Sequence, residues 1–264
     1  MQKEDYEKEW SGLHIKYLIT FLSGSYIIFI DNENDLDWRI KDWNIYSKEQ
    51  KININKIKNE VDLLETLPLD KLDDRTIMNF KRQLGEILSR IFDNDYENAI
   101  KMLDYAKDYI QKRNLEQSRS LFVISAGIIT IISVSIFSLL FMFKNFMMNL
   151  LGTSIFFITV STLIGSLGAF FSILLRIEKT LPDYNATKKL HYLEGITRVI
   201  TGMISSFFIV LCIQSELLLP IFTKIESTNI AMILAGFIAG TSERLAPSII
   251  NSLTNKIDTT LKKQ

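Results

Sequence analysis

The sequence predicts an all-α protein: a four-helix transmembrane unit preceded by an N-terminal cytoplasmic helical domain. Three observations carry that expectation. Residues 1–120 hold 19 basic and 23 acidic side chains, whereas residues 121–264 hold 11 and 7. Mean hydropathy is +0.15 although 23% of residues are charged, so apolar residues are segregated along the chain. Charge-free stretches of the ~20 residues that cross ~30 Å of hydrocarbon occur only in the second half. The expected domains are therefore 1–117, cytoplasmic and mainly helical, and 118–264, embedded in the membrane.

Composition excludes several classes. The 30 basic and 30 acidic residues cancel, which rules out a bulk polyanion binder and an acidic disordered tail, and no nucleic acid partner is expected. One cysteine, Cys212, excludes a disulfide scaffold and a multi-cysteine zinc site. The two histidines, His14 and His191, are far apart in sequence. No Walker loop, dinucleotide loop, zinc signature or nucleophile elbow is present. The expectation is a non-enzyme with no catalytic residues, metal or cofactor.

The first long apolar run, Leu13 to Ile30, is interrupted by His14, Lys16 and Ser23-Gly24-Ser25 and flanked by acidic residues. It reads as buried core of the soluble domain, either a helix broken at Gly24 or a pair of strands, in preference to a fifth span. It lacks the basic start and small-residue cleavage site of a signal peptide. Trp38 and Trp43 follow in an Asp/Asn-rich stretch, as packed core or as an exposed aromatic hot spot.

Ser47 to Gln50 has capping-box spacing. It opens a helix whose apolar face is Ile54, Ile57, Val61 and Leu64, closed by Pro68. Asp73 or Asp74 caps a second helix with Ile77, Phe80, Leu84, Ile87, Leu88 and Ile91 on one face. Asn94 to Glu97 repeats the capping-box spacing before a third, and nothing from Tyr96 to Leu121 would stop that helix entering the membrane.

Spans are expected near 121–143, 148–175, 199–219 and 229–250. Positive charge marks the cytoplasmic side. Lys107, Lys112, Arg113 and Arg119 precede the first span, and Arg176, Lys179, Lys188, Lys189 and Arg198 separate the second from the third. Lys256, Lys262 and Lys263 follow the fourth, while the opposite loops carry only Lys144 and Lys224 as basic residues. Both termini are thus expected in the cytoplasm. A short helix from Asn185, with Leu190, Leu193 and Ile196 on one face, is expected to lie on the inner membrane surface, with His191 interfacial.

The candidate functional residues lie in the membrane half. Ser161, Gly165 and Ala169 fall four apart with Gly168 beside them, and Gly236 and Gly240 form a G-x-x-x-G. Small residues at this spacing let helix backbones approach closely in lipid, within one chain or between copies. Glu243 and Arg244 interrupt the fourth span, and an ionisable residue there costs about 2.5–3.5 kcal/mol on insertion scales unless it is paired or reaches the interface. Arg198, at the entrance to the third span, is the candidate partner for Glu243. Pro247 then removes a backbone donor and bends or restarts the helix.

Three stretches carry a resemblance. Ile164 to Arg176 contains Gly165-Ser166-Leu167-Gly168 and ends in Arg; Arg198-Val199-Ile200-Thr201-Gly202 enters the next span; Gly236-Phe237-Ile238-Ala239-Gly240-Thr241-Ser242-Glu243-Arg244 closes the last. Together they resemble a loose group of small, uncharacterised bacterial inner-membrane proteins. The resemblance covers roughly residues 160–250 and implies a membrane core with no settled activity. Four spans without an internal repeat are few for a secondary transporter. The expected function is an oligomeric bacterial inner-membrane protein. It would be a pore-forming or membrane-perturbing effector of stress or phage defence, controlled by its cytoplasmic domain. The alternative is a non-catalytic anchor that recruits a cytosolic protein through residues 1–117. The expected partners are the lipid bilayer and further copies of the chain.

Overall fold

Tyr26–Asp31 is the most deeply buried stretch of the first half, and the surrounding elements cover it on both faces. The computed structural model describes residues 4–179, 182–183, 185–215 and 228–242. It divides into two units, Met1–Gln117 and Ser118–Gln264.

In the first unit a one-turn helix α1 (Glu4–Glu7) precedes strands β1 (Ile15–Leu22), β2 (Tyr26–Asp31) and β3 (Leu36–Ile40). They form an antiparallel sheet of order β1-β2-β3. The all-α expectation is corrected here: the molecule is mostly helical but carries this sheet. Of the two readings of Leu13–Ile30, the strand pair is the one that forms. Gly24, at φ +77°, makes the turn between β1 and β2. The Glu9 carboxylate holds that turn, accepting from the Gly24 amide at 2.6 Å and Lys41 Nζ at 2.8 Å.

One face of β2 gives Ile27 and Phe29 to a cluster with Tyr6, Trp10, Leu13, Leu18 and Phe21. The other gives Tyr26 and Ile28 to the main core, built by helices α2 (Lys48–Glu65), α3 (Asp74–Phe92) and the start of α4 (Tyr96–Met142). Ser47 caps α2 through the capping box, and Ile54, Ile57, Val61 and Leu64 are all buried. Asp73 caps α3. Gly85 lets α3 lie on the sheet, because a Cβ there would stand 2.5 Å from Ile19 Cδ1 and 3.3 Å from Ile28 Cγ2. Trp38 packs on Phe92 with ring centroids 5.5 Å apart and borders the core, so it is a packing residue rather than an exposed hot spot.

The expected Asn94 capping box is also corrected. Asn94 adopts φ +63°, and the amides of Asn94 and Asp95 donate to the carbonyls of Ile91 and Arg90. That is a Schellman closure of α3, with Asn in the left-handed position usually taken by Gly. Asn94 thus ends one helix instead of starting the next.

Lys81 is 7% exposed. Its ammonium donates to the Asn34 carbonyl at 2.5 Å and to Asp35 at 3.2 Å, with Glu65 3.5 Å away. One buried cation thus ties the β2–β3 turn to α2 and α3, and its desolvation is offset by three oxygens.

α4 contributes its residues from Ser118 onward to the second unit. There follow α5 (Lys144–Leu151), α6 (Thr153–Arg176), α7 (Lys188–Gln214) and α8 (Thr228–Thr241). Three helices are long and apolar enough to cross a membrane: α4, α6 with its continuation to Lys179, and α7. The expected second span, 148–175, is split, because Gly152 at φ +84° separates α5 from α6. The expected surface helix near 185–196 is not a separate element. α7 runs unbroken from Lys188, and His191 on it is fully buried rather than interfacial. The described part of the fourth expected span is the 14-residue α8 and Ser242 after it; 243–250 lie outside the described residues.

The Tyr26 hydroxyl donates to Asp93 Oδ1 at 3.0 Å and lies 2.9 Å from Ser89 Oγ. Burial, reinforced by the Asp93 carboxylate, pushes its pKa up to about 12. Its neutral form is the one the fold holds. The stabilisation is therefore complete below pH ~10, the unfolded value, and is lost as pH rises through 12; at most it amounts to about 2–3 kcal/mol. All three tryptophans, Trp10, Trp38 and Trp43, lie in this unit, so tryptophan fluorescence of the full chain follows its unfolding. Between pH 9 and 11 the urea midpoint of Tyr26→Phe is expected to fall less than that of the unaltered chain. Equal falls would remove Tyr26 as the cause.

Candidate functional site: a glycine-packed helix junction

The small residues of α6 form one buried stripe: Ser161, Gly165, Gly168, Ala169 and Ser172. Opposite them α7 buries Gly202, Ser205 and Ser206, and α8 buries Ala235, Gly236, Ala239 and Gly240. The consequence is backbone contact among three helices, in which Gly165, Gly168, Gly236 and Gly240 come together at one junction.

The space that side chains would need is already filled. A Cβ on Gly240 would overlap the Gly165 carbonyl oxygen, and one on Gly168 would overlap the Phe237 carbonyl oxygen and stand 3.0 Å from Thr241 N. At Gly236 it would stand 2.5 Å from the Ser161 carbonyl oxygen and 2.8 Å from Ser206 Oγ. At Gly202 it would meet Ala169 Cβ at 2.5 Å and the Gly240 carbonyl oxygen at 3.2 Å. Gly165 faces the Ser206 side chain, with the Gly202 carbonyl oxygen 3.2 Å from its added Cβ. Ser206 Oγ donates to the Ser161 carbonyl at 2.8 Å, with both residues fully buried. Close approach of this kind replaces the hydrophobic force that lipid cannot supply, adding dispersion contacts along the backbones and a buried hydrogen bond.

Below this junction the same helices bury larger residues, Phe156, Val160, Ile209, Val210 and Met232 among them. α4 docks separately. Its Phe122 and Ala126 pack with Ile173 and Val199, and Gly195 of α7 lies against the Phe122 carbonyl oxygen and Ser125 Oγ. His191, one turn before Gly195, holds its Nδ1 3.2 Å from Glu194 Oε2.

Gly202, Gly195 and Ser206 belong to this junction or its neighbour, yet sequence reasoning assigned them no packing role. The signal was present. Buried His191, Gly195, Val199, Gly202, Ser206 and Ile209 recur at spacings of 3 and 4 along α7. The bulky Phe207 and Phe208 obscure it. Arg198 is half-buried on α7. Its expected partner Glu243, together with Arg244 and Pro247, lies outside the described residues. Among the described residues no group of three or more His, Cys, Asp or Glu side chains is placed to hold a metal.

The chain matches no protein-family model, no curated protein and no solved structure. The junction's chemistry must therefore be read from its own geometry, which fixes three helices against one another.

Alanine substitution discriminates the tight glycines from a loose one. Gly168→Ala and Gly240→Ala are each expected to destabilise the second unit by about 1–3 kcal/mol, the range for overpacking. Gly127, whose added Cβ would stand 3.6 Å from Phe170, has room. Gly127→Ala is expected to be neutral or to stabilise by up to about 1 kcal/mol through helix propensity. Denaturation in detergent micelles, followed by far-UV circular dichroism, reads all three.

Proposed function

We propose that this chain is an integral protein of the bacterial inner membrane that works as a homo-oligomer. In this reading both termini lie in the cytoplasm, and residues 1–117 form a controlling domain. Residues 118–264 act as a pore-forming or membrane-perturbing effector, of the kind that serves stress or phage defence. No catalytic step is assigned to either unit.

The observation that carries the reading is the uneven packing of the apolar helices. Half of the span on α6 and 44% of that on α7 is buried within the chain, but only 22% of that on α4. α4 turns outward Ile124, Ile128, Ile131, Ile132, Ile136 and Leu139, a face with room for neighbours. The glycines of α6, α7 and α8 are already occupied inside the protomer and close its centre with backbone. A water-filled path would then have to form between copies, along α4. Exposed Ser135 and Ser138 on that helix are compatible with such a lining.

A second reading, a non-catalytic anchor, draws on a different observation. Between α3 and α4 of the first unit lies an open groove of about 600 Å³, lined by Gln83, Arg90, Asn98, Met102, Tyr105 and Tyr109. Tyr105 is 75% exposed. Exposed tyrosine and arginine beside methionine are the residues that anchor protein partners.

Membrane potential separates the two. Induction of the full chain in bacteria is expected to depolarise the cells, read with a voltage-sensitive dye. Cysteine at Ile132 in a Cys212→Ser background is expected to cross-link copies through α4. A monomeric, membrane-inserted chain with unchanged potential contradicts the effector reading and favours the anchor.

A further inference from the structure

Among the described residues, the charged side chains of the second unit gather at one end. α6 and α7 run antiparallel: Ala169 meets Gly202, Ile173 shares a cluster with Val199, and Ser154 bonds Gln214. The end of α6 and the beginning of α7 therefore lie at the same level. The first residues of α4 in this unit join them there, since Phe122 packs with Ile173 and Val199, and Arg119 donates to the Glu178 carbonyl at 3.1 Å. This end carries Arg119, Arg176, Lys179, Lys188 and Lys189, against the acids Glu178, Asp183 and Glu194. Glu194 is engaged with His191. At the opposite end Lys144 is the one charged side chain among the described residues.

The cations are interleaved with exposed leucines. Leu174 and Leu175 directly precede Arg176, and Leu190 and Leu193 follow Lys188 and Lys189; all four are exposed. Leucine and unpaired lysine side by side suit neither water nor hydrocarbon alone. They suit the boundary where acyl chains meet headgroups, with the lysine stems lying along apolar surface and the ammonium groups above. Among the described residues Lys179, Lys188 and Lys189 form no ion pair, and each is exposed.

We propose that this collar selects anionic phospholipids. Lys179, Lys188 and Lys189 contact the headgroup phosphates, and Leu175, Leu190 and Leu193 seat against the acyl chains. The proposal rests on the membrane reading above. It goes beyond orientation during insertion, because it assigns the folded protein an equilibrium preference for anionic over zwitterionic lipid. The leucines favour lipid over free phosphate, since a soluble anion would leave them in water. Ammonium groups on flexible stems also fit a fluid array of phosphates, where a fixed anion pocket would favour the bidentate fork of arginine.

The test uses the full chain in nanodiscs of mixed phosphatidylcholine and phosphatidylglycerol, with bound lipid counted by mass spectrometry. Phosphatidylglycerol is expected to be enriched around the unaltered chain and around a control, Lys48→Gln/Lys51→Gln/Lys56→Gln, altered on α2. The variant Lys179→Gln/Lys188→Gln/Lys189→Gln is expected to lose that enrichment by about fivefold per lysine at low salt. No enrichment around the unaltered chain, or equal enrichment around the collar variant, overturns the proposal. Inorganic phosphate is expected to displace no more lipid than chloride at equal ionic strength. Greater displacement would assign the cations to free phosphate and overturn the lipid assignment. A chain that does not enter the nanodisc contradicts the membrane reading itself, an outcome visible before any lipid is counted.

Discussion

The contact between the Gly240 and Gly165 backbones is the constraint on which the second unit depends. Two helices can touch main chain to main chain only where at least one of them carries no side chain at the contact. Gly168 against the Phe237 carbonyl and Gly236 against the Ser161 carbonyl extend the contact by a turn each way. Gly202 then brings α7 against Gly240, so one glycine on α8 serves two neighbours. The Ser206–Ser161 hydrogen bond fixes α7 against α6 at the same level. Larger residues at any of these points would force all three helices apart, because each helix backbone is wedged between the other two.

That arrangement shapes what the unit can do. Among the described residues, main chain closes the space between α6, α7 and α8 and leaves little room there for a ligand or a hydrated path. α4 stands apart from the junction, meeting the others through Phe122, Ala126 and Gly195 while most of its span faces outward. A division between three helices packed backbone to backbone and a fourth whose span is mostly exposed is the physical basis for proposing function between copies. The cations gathered at one end of the unit are the basis for the proposed preference for anionic lipid.

Much of this was legible in the sequence, and the failures have physical causes. Ser47 and Asp73 announced α2 and α3, because a capping side chain and a 3–4 apolar period are local signals. The sheet was ambiguous because β2 is buried on both faces and so shows no alternation. Two register shifts in β1 break its period as well. Asn94 misled because the same residue type caps either end of a helix, and only its backbone angle tells which. His191 misled because Lys188 and Lys189 beside it drew the whole segment to the surface. The glycines of α6 and α8 stood out as G-x-x-G and G-x-x-x-G, but their partners on α7 were spaced among phenylalanines. Whether they served one chain or several was a question of tertiary contact that spacing could not answer.

A double-mutant cycle on Gly168→Ala and Gly240→Ala, whose added methyls both enter the α6–α8 contact, tests most directly whether these backbones touch. If α6 and α8 touch through main chain at both points, the first added methyl parts the backbones and the second meets less resistance. The double variant is expected to be less destabilised than the sum of the singles, with a coupling of about 0.5–3 kcal/mol. Strictly additive losses would contradict it, since they would mean that the two methyls do not enter one shared backbone contact.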